Sequence, residues 1–275
     1  MPASLNSTGT LSSRTRTQVS GRFIRETPGS QSLERGLKLL RAFRVGNPLL
    51  TNAELAERAG LARPTVSRLA RSLVDAGFLS YDVGQRAYRL GAVMLSLAQV
   101  YQSDAGPLNE ALPLMEAMAF AERVNVGMAV GDLTEMVYLA SARWSRRGLA
   151  RHLAPGSRVP MDCTALGHAW LAGTDTAHRQ ELMERFSQKL GNAWPAARLS
   201  IRLGLEKIDA DGWCMAMWQP GMMALATPVQ GPDRSTYALN LSFPFATQDD
   251  EKLIDGHAER LMSLRSRIAQ AWGVI

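Results

Sequence analysis

Residues 62–73 read ARPTVSRLARSL, and wound at 3.6 residues per turn they sort into two sides. Val66, Leu69, Ala70 and Leu73 fall together. Ser67, Arg68, Arg71 and Ser72 fall largely opposite, with Thr65 at the margin and Arg63 at the start. The outward side has guanidinium and hydroxyl groups and no carboxylate. Arginine can bridge two acceptors on a guanine edge or clamp a phosphate, and Ser and Thr reach either. The bland alternative is a soluble basic face, and only context separates the two. Two other places could do chemistry. Asn240 and Ser242 alternate in NLS, so on a strand they share a face, and both can donate hydrogen bonds to a carboxylate. Their alternative is a polar sheet face in water. Cys163 and His168 stand five apart, but a Cys–His nucleophile needs a third, orienting group. Asp162 is adjacent in sequence, and adjacent helical residues do not face one another. Cys163 therefore reads as a small buried or capping residue and His168 as an exposed or half-buried one; no catalysis is expected.

Elements must position these groups. Ser32 precedes LERGLKLLRAF, a helix with Leu33, Leu37, Leu40 and Phe43 on one stripe. Thr51-Asn52 opens a second helix, AELAERAG, closed by Gly60. The third begins at Arg63-Pro64 and stops at Gly77. FLSYD and RAYRL, about a turn at Gly84, make a short hairpin. Three helices and a two-stranded hairpin within some 60 residues read as a winged helix-turn-helix. In that geometry the third helix enters the DNA major groove. Arg86 and Arg89, on the wing, reach phosphate or the minor groove. LGAVMLSLAQVYQ (90–102) is a connecting helix with few charges, expected to pack on a second copy of itself.

Charge separates the chain into parts. Residues 1–102 hold fourteen Lys+Arg against six Asp+Glu, net +8, whereas the remaining residues are net −2. A local positive field suits a polyanion. Residues 1–25 contain four arginines, nine Ser/Thr and no acid, which reads as a disordered basic tail rather than a targeting peptide. Two cysteines make no disulfide framework, the four histidines lack metal spacing, and no cofactor is expected. No apolar run approaches a membrane span, and the expected compartment is the cytoplasm. Beyond the linker Asp104–Pro107, helices alternate with β-like runs (VNVGMAVG, EMVYLASA, MMALATPVQ, STYALNLSFPF) and a long helix closes the chain from Thr247 to Trp272. An α+β domain with one central sheet follows.

SLERGLKLLRAF, ELAERAGLARPTVSRLARSLVDAGFL and RAYRLG, followed by GSRVPMDCTALGHAWLAG, IDADGW, MMALATPV and ALNLSFP, resemble IclR-type bacterial transcriptional regulators over about residues 30–272. The resemblance implies a basic tail at 1–29, a winged helix-turn-helix at 30–90, a linker helix at 91–106 and a GAF-like α/β effector-binding and oligomerisation domain at 107–275. It also implies a homodimer or homotetramer on double-stranded operator DNA, as repressor or activator, and a small organic acid effector.

In VPMDCTALGHAW, Asp162, Cys163 or Thr164 can cap a helix whose first N–H groups seat an anion. On the family pattern the backbone at Thr164, Ala165 and Leu166 lines the pocket, Ala224 offers contact area, and Asn240 and Ser242 complete it. The chain departs from the pattern at GWCMAMWQPGM (212–222), a loop where relatives commonly carry acids. Met215, Met217 and Trp218 stand there instead, and Met215 joins the expected pocket. Two readings stay open: a more apolar, aromatic acid, or a pocket that no longer senses. The alternatives to a ligand-responsive regulator are a constitutive DNA-binding protein whose C-terminal domain only oligomerises, and an enzyme using Cys163.

Overall fold

The computed structural model describes residues 29–103, 106–144, 153–246 and 251–274, so the expected basic tail lies, but for Gly29, outside the described residues. These residues form two compact units with a boundary between Ala92 and Val93.

The first unit opens with helix α1 (Gln31–Arg41). Its cap is Ser30 rather than Ser32, the hydroxyl accepting from the Leu33 N–H at 3.4 Å. The expected stripe is also corrected. Leu37 is 48% exposed and Leu33 more so, while Leu39 is fully buried with Gly36, Ala42 and Phe43. Two apolar stripes run along this helix, and periodicity does not choose between them. Of the expected stripe Phe43 is buried and Leu40 packs against the core, while Leu39, outside that stripe, is fully buried because Leu50, Leu55, Val66, Ala70 and Leu79 pack with it.

A two-residue strand, β1 (Leu50–Thr51), leads into α2 (Asn52–Ala59). Thr51 and Glu54 form a reciprocal capping box. The Thr51 N–H donates to the Glu54 carboxylate at 2.7 Å, holding that carboxyl below its ordinary value. Gly60, at φ 64°, supplies the left-handed turn into α3 (Arg63–Asp75). Pro64 sits in the first turn of α3, where a missing N–H has no partner to lose. Strands β2 (Leu79–Asp82) and β3 (Ala87–Leu90) form the wing. The wing sheet has three strands in the order β1–β3–β2, not two, because Leu50 and Thr51 pair with Tyr88 and Ala87. A strand of two residues carries no alternation to read.

The second unit begins with α4 (Val93–Ser103), in which no residue is buried, and α5 (Gly106–Glu122). Strands β4 (Asn125–Asp132), β5 (Glu135–Arg143) and β6 (Arg158–Pro160) follow, then α6 (Ala165–Gly173), α7 (Thr176–Leu190) and α8 (Trp194–Asp211). The chain ends with β7 (Cys214–Gln219), β8 (Met222–Gln230), β9 (Thr236–Pro244) and α9 (Glu251–Ala271). The six strands form one antiparallel sheet in the order β6–β5–β4–β9–β8–β7. One face packs on α5 and α9 through Val126, Leu225, Leu239 and Leu241. The other packs on α6, α7 and α8 through Ala129, Tyr138, Cys214 and Ala226. The segment 212–222, expected as a loop, is mostly the edge strand β7. Its run CMAMWQ has no Val, Ile or Thr and a single strand-favouring residue, Trp218, so strand propensity there is weak.

Leu39→Ala removes a fully buried side chain from the centre of the first unit. It should destabilise that unit by about 2–5 kcal/mol in urea unfolding followed by circular dichroism.

Candidate functional site

On the outward side of α3, Arg63, Ser67, Arg68 and Arg71 are exposed and Thr65 is half-buried, while Val66 and Ala70 are buried. The acid-free face is therefore free of the unit's own core. On the wing, Asp82 accepts the Gln85 N–H at 2.9 Å and shapes the turn. That N–H, aided by the Arg89 guanidinium, holds the Asp82 carboxyl below its ordinary value. Arg86 is exposed at the turn with φ 49°, a left-handed backbone for a long side chain. Arg89 is exposed, but its guanidinium sits 2.5 Å from the Asp82 carboxylate. It is engaged within the wing, so Arg86 and the α3 arginines are the cations left open to a polyanion.

The second concentration of polar groups lies on the α6 side of the sheet, near one end. Antiparallel pairing sets Asn125 opposite Ser242 and Arg143, and Gly127 opposite Asn240 and Ser141. Paired residues share a face, so these side chains form one polar row. A bulge in the β4–β5 pairing makes room for a further member. Met128 pairs with Ala140 and Ala129 with Tyr138, leaving Leu139 as the extra residue. The slip turns Tyr138 onto the α6 face, to which Ser141 also belongs. The Tyr138 ring then lies over Gly127, where a Cβ would stand 2.4 Å from Tyr138 Cε1 and 2.6 Å from Asn240 Oδ1. Only glycine leaves space for that crossing.

A cavity of about 40 Å3 results, lined by the polar row together with Tyr138, Leu153, Gln219 and Met222. Asn240 is 4% exposed, and its side-chain oxygen has no hydrogen-bond partner among the described residues. Burial drives the Tyr138 phenol well above its ordinary value, an interaction with Asn240 opposing. Burial also presses the Arg143 guanidinium below its ordinary value, but arginine keeps its charge in proteins. Arg143 is the one charged side chain among the described lining residues.

Of the residues expected in the pocket, Asn240 and Ser242 line this cavity. Asn240 is withdrawn from water, not part of a wet sheet face. Ala224 pairs with Ser242 on the same face, packed in the α6-side core. Thr164, Ala165 and Leu166 are buried at the start of α6 but do not line the cavity. Thr164 is the cap, accepting from the Gly167 N–H at 3.2 Å. Met215 is a correction: it pairs with Leu225, whose side chain belongs to the α5–α9 core, so it points to the opposite face and stands clear of the cavity. Sequence reading missed Arg143, Ser141, Asn125 and Tyr138. The signal was Ser141 and Arg143 at alternate places in the otherwise apolar EMVYLASAR.

The expectations for Cys163 and His168 are reversed. Cys163 is exposed and precedes α6; burial of part of its side chain and the Asp162 charge raise its thiol pKa, the opposite of an activated nucleophile. His168 is 1% exposed. Its Nε2–H donates to the Asp162 carbonyl at 3.1 Å, Nδ1 has no partner among the described residues, and the ring packs against the backbone at Gly204 of α8. No cluster of three His, Cys, Asp or Glu that could hold a metal occurs among the described residues, and none of their helices is long and apolar enough to cross a membrane.

Comparison with known proteins places both units. Residues 32–83 match the IclR helix-turn-helix domain, and residues 100–268 match the bacterial transcriptional regulator IclR C-terminal domain. The chain is 33% identical over 186 residues to the HTH-type transcriptional regulator TsaQ1/TsaQ2 of Comamonas testosteroni, spanning 67% of this chain and 66% of that protein, just under two thirds of its length. It is 27% identical to the Pca regulon regulatory protein of Pseudomonas putida, over 77% of this chain and 73% of that one. Among solved structures, the IclR family transcriptional regulator from Brucella abortus matches with a TM-score of 0.77 and 29% identity, covering 88% of this chain and 92% of that one. These relatives are regulators of transcription, and no enzyme family is indicated.

The buried histidine generates a pH prediction. Burial lowers the His168 pKa from its ordinary 6.5, so the fold holds the neutral ring and the unfolded chain takes the proton more readily. Burial, then the Arg260 charge, lowers His257 in the same direction. The stability they contribute is present above 6.5 and is lost as the pH falls from there through the depressed folded values. The thermal midpoint of the chain should drop between about pH 7 and about pH 5, and His168→Gln should shrink the drop.

Proposed function

This chain belongs to the IclR-type family of bacterial transcriptional regulators, and we propose that it is a ligand-responsive one. Its third helix and wing bind operator DNA, and its α6-side cavity senses a small organic acid in the cytoplasm. The DNA half is supported by the exposed, acid-free face of α3 within the N-terminal part of the chain, where the net positive charge lies. We assign base and phosphate contacts to Arg63, Thr65, Ser67, Arg68 and Arg71, and phosphate contact to Arg86.

The observation that carries the sensing half is Asn240. Burying a polar atom without a partner costs about 1–3 kcal/mol, and among the described residues the Asn240 oxygen has none, so an occupant that pairs with it recovers that cost. The amide can offer either its donor or its acceptor to an occupant. Beside it, Arg143 brings a positive charge into the cavity lining, and a carboxylate is a ligand group of matching charge. Tyr138, Leu153 and Met222 give apolar wall for an aromatic body. The effector shifts the protein only as far as it binds one arrangement better than the other.

Oligomerisation is supported by α4. Leu95 is 74% exposed, and Leu97, Val100 and Tyr101 are exposed with it. A helix with no buried residue gains its stability by packing elsewhere. A homodimer paired along α4, or a tetramer of two such dimers, hides these side chains and fixes the separation of two recognition helices. A second reading rests on the cavity's volume. At about 40 Å3 it holds little more than water, which favours a constitutive DNA-binding protein whose C-terminal domain only assembles oligomers.

Two measurements test these assignments. Arg68→Ala should weaken operator binding by about 1–3 kcal/mol, and unchanged affinity at moderate salt removes Arg68 from the interface. Footprinting on the neighbouring intergenic DNA, repeated with aliphatic and aromatic acids, should give a ligand-dependent footprint that Arg143→Met abolishes. A footprint that no acid alters establishes the assembly-only alternative.

A further inference from the structure

A second hollow lies away from the polar row, on the outer side of the helical layer. The open groove between α7 and α8 has a volume of about 420 Å3, in the range of small-molecule sites. Arg179, Met183 and Glu184 line it from α7, and Trp194, Arg198 and Leu205 from α8. Two guanidinium groups face one carboxylate, so the groove has a positive balance. Arg198 is exposed. Its neighbour Arg202 takes Glu206 at 3.8 Å, and Arg185 takes Glu181 at 2.7 Å, leaving Arg198 without a carboxylate among the described residues. The Trp194 indole is half-buried and held by the Phe186 ring, 6.5 Å between centroids. A fixed aromatic face, apolar flanks at Met183 and Leu205, and an unpaired guanidinium form a consistent set of contacts for one kind of molecule.

We propose that the α7–α8 groove is a second ligand site that takes an aromatic monocarboxylate, its ring on Trp194 and its carboxylate on Arg198. The site stands apart from the α6-side cavity and does not depend on that cavity's role. Both of its walls hold α6. Arg179 donates to the Leu171 carbonyl near the end of that helix at 3.3 Å, and Gly204 of α8 receives the His168 ring. Helix α6 in turn packs over β9, the strand that carries Asn240 and Ser242; the Trp170 N–H donates to the Thr236 carbonyl at 2.9 Å. An occupant that recruits Arg179 therefore bears on the helix that packs over β9.

The test is calorimetric titration of the full chain with benzoate, for the parent and for Arg198→Ala and Arg143→Met. The parent should bind benzoate at a site that Arg198→Ala weakens at least about tenfold and Arg143→Met leaves in place. Benzamide, which lacks the charge, should bind there at least about tenfold more weakly. The proposal is overturned if Arg198→Ala leaves the isotherm unchanged, if Arg143→Met alone removes all binding, or if millimolar benzoate does not bind. A changed sedimentation mass for Arg198→Ala, with benzoate binding intact, overturns it in favour of contact between copies of the chain. Loss of all binding in Arg198→Ala, with Arg143→Met unaffected, sustains this site and speaks against the cavity as the acid sensor.

Discussion

The six-stranded sheet is covered by helices on both faces, so almost every position along its strands must be apolar. That constraint governs the rest of the C-terminal unit. Leu225, Leu239 and Leu241 meet it on one side, and Ala129, Ala224, Ala226 and Cys214 meet it on the other with smaller side chains that let α6 approach. Against this background the polar row of Asn125, Ser141, Arg143, Asn240 and Ser242 is an exception confined to one end of one face. An exception to burial chemistry costs stability unless something pairs with it. Asn240, with an unpartnered oxygen, is where the cost is visible. The slipped pairing at Leu139 adds to the exception by bringing a phenol ring onto the face that the glycine at 127 leaves open. Several sequence choices at separate places in the chain thus converge on the same corner.

The N-terminal unit shows the opposite economy. Its core is small, built from Leu39, Phe43, Leu50, Leu55, Val66, Ala70 and Leu79. Much of the remaining apolar surface is left outside: Leu33 and Leu37 on α1 are exposed. Exposed leucines on α1, and a following helix α4 with nothing buried, are the apolar surface that the proposed association would cover. Small units of this kind gain from a partner because their own surface-to-volume ratio limits what they can bury.

Much of this was legible in the residues and some was not, for identifiable reasons. The helix-turn-helix was readable because its punctuation is local: Thr51-Asn52, Gly60, Pro64 and Gly77 each act within a few residues. Asn240 and Ser242 were readable as a pair because alternation on a strand needs no knowledge of its neighbours. The inner stripe of α1 was read only in part: Leu40 and Phe43 meet the core as expected, but Leu39 rather than Leu33 or Leu37 completes it, and only the packed partners make that choice. Met215 was misplaced because the parity of a strand depends on its register with Leu225, which is a long-range fact. Cys163 and His168 exchanged their expected environments for a similar reason: the helix begins at Ala165, one residue after the cap, which leaves the thiol outside and carries the imidazole inward. The α7–α8 groove had no sequence signature, because its lining comes from two helices whose facing is set only by packing on α6.

The wing illustrates how a charge count can mislead and what corrects it. By composition Arg86 and Arg89 are equivalent, two arginines near one tight turn. Pairing makes them different. Arg89 lies on β3 opposite Ser80 and reaches Asp82 on the same sheet, and the acid is already fixed in place by the Gln85 N–H. Releasing Arg89 to a phosphate leaves Asp82 facing the same polyanion, so the exchange gives back part of what it gains. Arg86 has no such debt among the ion pairs of the described residues, and its left-handed backbone turns it out of the ladder at the turn. Of the arginines on α3 and the wing, those without an ion pair among the described residues are therefore Arg63, Arg68, Arg71 and Arg86, fewer than the sequence count implies.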